Sequence, residues 1–264
     1  MYRLTAVTKR YGPADDTVEG LSDVTLCVPR GGQLVVQGPP GGGKSTLLRL
    51  LGGLDRPTEG TVELDGTDLA ALDDGTLAAV RAEHIGFVPR RAHLLPALTA
   101  RQNVEAALVP LGVRRGERRT RAARALEWAG LGARLRCVPA ELTPAERQRV
   151  AVARAVVKRP KVLLADEPTG GLGRQDAAEV LALLEAARHA DAVPEPGYVP
   201  TLVMVTHDSA TARRAPRLAV LRRGRVELTE REGGDATGGE ATGGGAANRD
   251  VTNGDAANGD VTGG

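Results

Sequence analysis

Four short stretches of nearly unbroken apolar residues stand out along this chain: Leu34-Val35-Val36, Ile85-Gly86-Phe87-Val88, Val162-Leu163-Leu164-Ala165 and Leu202-Val203-Met204-Val205. Runs this short read as strands buried on both faces, the pattern of a parallel sheet. Around Leu4–Thr8 and Val24–Val28 apolar and polar positions alternate instead, which predicts half-exposed antiparallel strands. Gly60–Leu64 predicts another strand, closed by Asp65-Gly66, a hairpin-type turn signal. Helical spacing appears in Leu47, Leu48, Leu50 and Leu51, through most of Thr99–Val157, and again in Gln175–Arg188, where Val180, Leu181, Leu183 and Leu184 are expected to face inward. Arg217–Arg222 and Arg225–Leu228 predict a last hairpin about Gly224. The expected fold is α/β: a mostly parallel sheet with an antiparallel β subdomain and a helical subdomain at about residues 92–158.

Composition sharpens this picture at a few points. From Thr229 onward the chain is almost entirely Gly, Ala, Thr, Asn, Asp and Glu, so residues 1–228 are expected to form the folded body and 229–264 a disordered tail. Asn253-Gly254-Asp255 and Asn258-Gly259-Asp260 in that tail lack the bidentate Glu of a calcium loop. The tail holds seven acidic residues and two Arg, so the net charge of +2 hides a basic body. No basic run is interleaved with aromatics, and a nucleic-acid partner is not expected. Aromatics make up 2% of the chain, so the core has to be aliphatic. Trp128, at the end of the Arg-rich helix expected near Arg114–Arg124, reads as a packing residue rather than a ligand stacker. The proline-rich stretch 194–200 reads as a surface insertion, with a partner-binding segment as the alternative. Cys27 and Cys137 have no metal spacing and suit two free thiols in a reducing cytoplasm. With no signal peptide and no apolar run of spanning length, any membrane span is expected to come from another chain.

The chemistry starts at Gly38-Pro39-Pro40-Gly41-Gly42-Gly43-Lys44-Ser45-Thr46, between a buried strand and a helix. This is the G-x-x-x-x-G-K-[ST] phosphate loop, and it makes the core that of a P-loop NTPase. Its glycines let backbone N–H groups turn toward phosphates, Lys44 is expected at the β/γ-phosphates, and the Ser45 hydroxyl at Mg²⁺. Asp166-Glu167 ends the strand Val162–Ala165, placing two carboxylates at the ligand-binding edge of a parallel sheet. Asp166 is expected to hold Mg²⁺ through its waters and Glu167 to polarise the attacking water. His207, in Val205-Thr206-His207-Asp208, is placed to bond the γ-phosphate; a surface histidine is the blander alternative.

In this order, from Tyr2 to Leu228, these motifs resemble the nucleotide-binding subunit of ATP-binding cassette (ABC) transporters. Leu51-Gly52-Gly53-Leu54-Asp55-Arg56-Pro57-Thr58-Glu59-Gly60 and His93-Leu94-Leu95-Pro96-Ala97-Leu98-Thr99-Ala100 resemble the subfamily that powers lipoprotein-releasing and macrolide-export type permeases. The resemblance implies an Mg²⁺-dependent ATPase whose partners are a transmembrane permease and a second ABC ATPase subunit, held at the inner face of the cell membrane. It also implies that Tyr11 stacks on adenine, against a core role at the strand edge.

Three family motifs are altered here. Arg90 follows Pro89 where the family has a Mg²⁺-contacting Gln, and a guanidinium has no acceptor for a cation; pairing with a phosphate is the alternative. The signature Leu-Ser-Gly-Gly-Gln reads Leu142-Thr143-Pro144-Ala145-Glu146, with only the Thr143 hydroxyl kept and Glu146 expected to carry negative charge toward the partner's triphosphate. Gly173 replaces the Asp of the dimer-contact loop. Residues acting on the chain's own nucleotide are mostly intact, while those acting on a partner's are degraded. That pattern suggests an asymmetric heterodimer in preference to a homodimer, with a weakly hydrolysing or non-hydrolysing regulatory subunit as the alternative.

Overall fold

The alternating N-terminal runs pair as antiparallel strands, and both extend beyond the alternation because a bulge resets it. In the computed structural model, which describes residues 1–13, 17–188 and 198–230, β1 (Tyr2–Tyr11) pairs with β2 (Val18–Val28). Their register shifts between Leu4 and Val7, where Ala6 has φ 48°, so Val7 and Thr8 are both buried. Residues 14–16, 189–197 and 231–264 lie outside the described set, and with them the Asn-Gly-Asp repeats, most of the proline-rich stretch and all of the tail except Thr229 and Glu230, which continue the last strand opposite Leu218 and Arg217.

The elements continue with β3 (Gln33–Gln37), α1 (Lys44–Leu51), β4 (Glu59–Leu64), β5 (Thr67–Asp68), α2 (Asp74–His84), β6 (Ile85–Val88), α3 (Ala100–Glu105), α4 (Arg115–Trp128) and α5 (Pro144–Val156). After them come β7 (Val162–Asp166), α6 (Arg174–Ala186), β8 (Thr201–Thr206), α7 (Ser209–Arg214), β9 (Arg217–Arg222) and β10 (Arg225–Glu230). One antiparallel sheet has the order β2-β1-β4-β5. The larger sheet has the order β10-β9-β3-β8-β7-β6, parallel throughout except for the edge hairpin β9–β10.

The apolar runs form the middle of the larger sheet because both faces are covered. On one face Leu34, Val36, Leu164 and Val203 pack with α1 and with Tyr2, Leu4 and Leu26 of the antiparallel sheet. On the other, Val35, Leu163, Ala165 and Met204 pack with Val180 and Leu184 of α6 and Val152 and Val156 of α5. Leu181 and Leu183, expected inside, are partly buried and pack against the same side of the core. Helix α2 is not legible in the sequence, since Leu77 is its only buried residue and no stripe announces it. A third cluster joins Val104 of α3, Leu126 of α4 and Val150 of α5. Trp128 packs against both this cluster and the sheet-facing one, so it fastens the helical part to the core. Trp128→Ala is expected to cost about 3 kcal/mol, the low end for aromatic truncation because the ring is only partly buried. Chemical denaturation measures it; a change under about 1 kcal/mol contradicts the fastening role.

Candidate functional site

Strand register alone brings the candidate residues to one edge of the larger sheet. Gln37 pairs with Thr206, Asp166 with Val205 and Val88 with Ala165. The segments leaving β3, β8, β7 and β6 therefore carry the phosphate loop, His207, Glu167 and Arg90 out along the same edge, where parallel sheets bind ligands.

The loop is shaped for an anion. Gly43 has φ 99° and a Cβ on it would lie 2.2 Å from the Gly20 carbonyl, so only glycine fits before α1. A Cβ on Gly38 would meet the Leu221 carbonyl at 2.2 Å. No side chain caps the N-terminus of α1, which leaves its first N–H groups for a ligand. Lys44 is buried at 7% exposure, and its Nζ donates to Gly38 O at 2.8 Å and Pro39 O at 2.9 Å, so the ammonium is held over the loop. Pro39, Pro40, Gly41 and Ser45 are at least partly exposed, and Thr46 is half-buried beside Gly20. These features fit a polyphosphate.

At the neighbouring strand end, burial first and then Glu167 push the Asp166 carboxyl above its ordinary range, against the pull of Arg90 and Lys44. A cation would relieve that carboxylate, and a carboxylate with the Ser45 hydroxyl is a hard-oxygen pair suited to Mg²⁺. Among the described residues no group of three or more His, Cys, Asp or Glu could hold a metal, and Ser45 with Asp166 leaves coordination positions that water and phosphate can fill.

Glu167 has φ 42°, and its backbone is pinned by its N–H to Val205 O at 3.0 Å and by Gly170 N–H to its own carbonyl at 2.9 Å. His207 Nδ1 lies 3.2 Å from Glu167 Oε1. This is a close approach without hydrogen-bond alignment. Arg90 Nη1 lies 3.0 Å from Oε2 without hydrogen-bond alignment, and Oε2 is buried with no donor on it. Arg90 thus pairs with a carboxylate, where the sequence suggests a phosphate.

Tyr11 sits beside the loop: a Cβ on Gly20 would touch its ring at 2.9 Å and Thr46 Oγ1 at 3.0 Å. Its hydroxyl donates to Asp55 Oδ2 at 3.1 Å, and Lys9 Nζ stands 5.0 Å from the ring centroid. Burial pushes the Asp55 carboxyl up, but Lys9, the Arg56 N–H and Tyr11 together hold it below its usual range.

The altered signature corrects one expectation. Glu146 does not project outward; its Oε2 accepts the Thr143 N–H at 2.8 Å while Thr143 Oγ1 accepts the Glu146 N–H at 3.1 Å. This reciprocal cap starts α5, with Pro144 at the first turn where a missing N–H costs little. Arg134 Nε donates to Glu146 Oε1 at 2.9 Å and neutralises it. Ala145 is buried, while Thr143 and Pro144 are exposed. The Thr143 N–H first, and then Arg134, hold the Glu146 carboxyl below its usual range against burial. A depressed carboxyl contributes stability that is full above its unfolded value and lost as pH falls through its folded one. Glu146→Gln keeps the cap without the charge, so its thermal stability is expected to fall less steeply than wild type below about pH 4.3. Parallel acid profiles would contradict this.

Gly173 caps α6 without a side-chain bond. No sequence pattern assigns a contact to Arg134, to Asp55 or to Gln148, whose Nε2 donates to Pro89 O at 2.8 Å. Thr143-x-x-Glu146 is itself a readable capping signal.

A protein-family model described as ABC transporter matches residues 21–170. The uncharacterised ABC transporter ATP-binding protein YvrO of Bacillus subtilis (strain 168) is 42% identical over 231 residues, covering 88% of this chain and 97% of that protein. The macrolide export ATP-binding/permease protein MacB 1 of Aeromonas hydrophila is 40% identical over 226 residues, covering 86% of this chain but 34% of that protein, so the chain spans about a third of it. Among solved structures, the ATP-binding cassette MJ0796, a dimer in a post-hydrolysis state bound to ADP and Pi, aligns with a TM-score of 0.79 at 36% identity, covering 88% of this chain and 100% of that one.

Proposed function

The chain belongs to the ABC transporter family and is an ATPase of that family, and from that premise we propose that it energises a separate membrane permease of the export or extraction type. The observation that carries the site reading is the convergence of the phosphate loop, Asp166, Glu167 and His207 on one sheet edge. Residues 1–228 form the cassette in this reading, with 92–158 as its helical subdomain and 229–264 appended to it.

Lys44 and the N–H groups of Gly38–Thr46 bind the triphosphate of ATP, with Tyr11 against the adenine. Ser45 and Asp166 hold Mg²⁺, which supplies charge neutralisation at the phosphates. Glu167 takes the proton of the attacking water, and His207, beside Glu167, meets the terminal phosphate. Ser45→Ala is expected to raise the Mg²⁺ concentration for half-maximal turnover roughly tenfold or more. Magnesium titration of ATP hydrolysis checks this, and an unchanged midpoint removes Ser45 from the metal site.

The permease reading draws on the export ATP-binding/permease relative and on a groove of about 440 Å³ beside Arg90, Pro144 and Leu172, open to a partner segment. Among the described residues no helix is long and apolar enough to cross a membrane, so a permease would have to hold the chain at the inner membrane face. The test is native extraction from membranes. The chain is expected to co-purify with an integral membrane protein that changes its ATP turnover; recovery as an ATPase free of any membrane protein overturns the reading.

The partner cassette in this reading differs from this chain. Pro144 lacks an N–H, the Ala145 Cβ occupies a buried position and Glu146 is engaged in the cap, so Thr143 carries the signature's remaining hydroxyl. A partner with an intact signature completes the site on this chain's phosphate loop. The regulatory reading, with slow or absent hydrolysis, is favoured by one observation, the ion pair of Arg90 on Glu167.

A further inference from the structure

Glu167 has one free choice left to it, which is where its carboxylate points. Its backbone is pinned on both sides by the bonds to Val205 and Gly170, and His207 Nδ1 stands 3.2 Å from Oε1. Oε2 is buried and accepts no hydrogen bond, and it is the atom that Arg90 crowds at 3.0 Å. The guanidinium is not aligned as a donor, so Oε2 gains a neighbouring positive charge and loses room without gaining a hydrogen bond.

We infer that Arg90 is a positioning residue that restrains Glu167 by holding its carboxylate in an ion pair at Oε2, away from the attacking water, and thereby slows ATP cleavage in this chain. The inference rests on the reading of Glu167 as the group that activates water. Arg90 enters the site from a fixed point. The carbonyl of Pro89 is held by Gln148 Nε2 at 2.8 Å, and Gln148 is 4% exposed on α5. From there the side chain passes over Gly170, where a Cβ would come within 2.9 Å of its Nε. A glycine at 170 gives the guanidinium its path to Glu167. Arg90 remains 60% exposed while Glu167 is 13% exposed, so the arginine can swing into solvent with little desolvation to reverse. The restraint is therefore reversible. Its anchor on α5 ties it to the helix that starts at Thr143-Pro144-Ala145-Glu146.

The test is steady-state ATP hydrolysis by the full chain as wild type, Arg90→Met, Arg90→Ala and Arg90→Lys. Each is also made on a Glu167→Gln background, with Lys44→Ala alongside. Met and Ala are expected to raise kcat about two- to fivefold, the factor that an exposed ion pair carries, with KM unchanged. Arg90→Lys, which keeps a cation, stays close to the wild-type rate. The gain disappears on the Glu167→Gln background, because a restraint needs the group it restrains. An unchanged or lower kcat in Arg90→Met and Arg90→Ala overturns the inference, as does a gain that persists without Glu167. Hydrolysis that survives Lys44→Ala sinks the functional reading itself. Hydrolysis that needs Lys44 and ignores Arg90 sinks the restraint alone.

Discussion

Glu167→Gln lowers ATP turnover by about 10²–10⁴-fold while ATP binding stays within a fewfold of wild type. The magnitude is that of removing a positioned general base. Binding survives because the groups that hold the triphosphate sit on another segment, between Gly38 and Thr46, and none of them bonds to Glu167. The substitution keeps the shape of the side chain, so His207 can stay beside it. It removes the negative charge that Arg90 faces, and Arg90 is exposed enough to stay hydrated, so the folded chain tolerates it. Turnover assays with a binding isotherm on the same preparation decide the matter. A non-hydrolysing regulator is indifferent to this change, so equal turnover in variant and wild type would favour the regulatory reading.

Lys44→Ala acts on the other side of the division, weakening ATP binding roughly 10- to 150-fold, the range for losing one charge-assisted hydrogen bond. The ammonium is buried, held by the Gly38 and Pro39 carbonyls and poised where an uncapped helix N-terminus already favours negative charge. Thermal stability without nucleotide is expected to change little, because both carbonyls belong to an open loop with access to water. Calorimetric titration with ATP measures the affinity, and a variant that binds as tightly as wild type would remove Lys44 from the phosphate site. Together the two substitutions separate binding from cleavage: one empties the site, the other fills it and stops it.

Much of this arrangement is legible in the sequence because its signals are local. The strands Val162–Asp166 and Ile85–Val88 lie where unbroken apolar residues put them, since both faces of the larger sheet are covered. The strand–loop–helix around Lys44 is fixed by Gly38 and Gly43, where a Cβ would run into a carbonyl oxygen. What escapes depends on distance or on competition. Helix α2 buries only Leu77 and so has no stripe to read. The approach of Arg90 to Glu167 follows from the pairing of Val88 with Ala165, a register that no local pattern encodes. Glu146 departs from expectation for a different reason. Its charge suggests an outward role, but the reciprocal cap with Thr143 and the neighbouring Arg134 offer nearer partners, and local hydrogen bonds win.

The same capped helix start bears on the central claim, that this chain has a competent phosphate loop and a poor signature. The most direct measurement is complementation in trans between two forms of this chain. One is wild type. The other carries Lys44→Ala together with Thr143→Ser, Pro144→Gly, Ala145→Gly and Glu146→Gln, so its own loop is disabled and its signature restored. Each form alone is expected to hydrolyse ATP slowly or not at all. Mixed, the wild-type loop meets a restored signature, and turnover is expected to rise at least about tenfold over wild type, because donors aimed at transition-state charge are worth about 10²–10³-fold each. A mixture no faster than wild type alone, with the restored form folded and able to dimerise, would contradict the account.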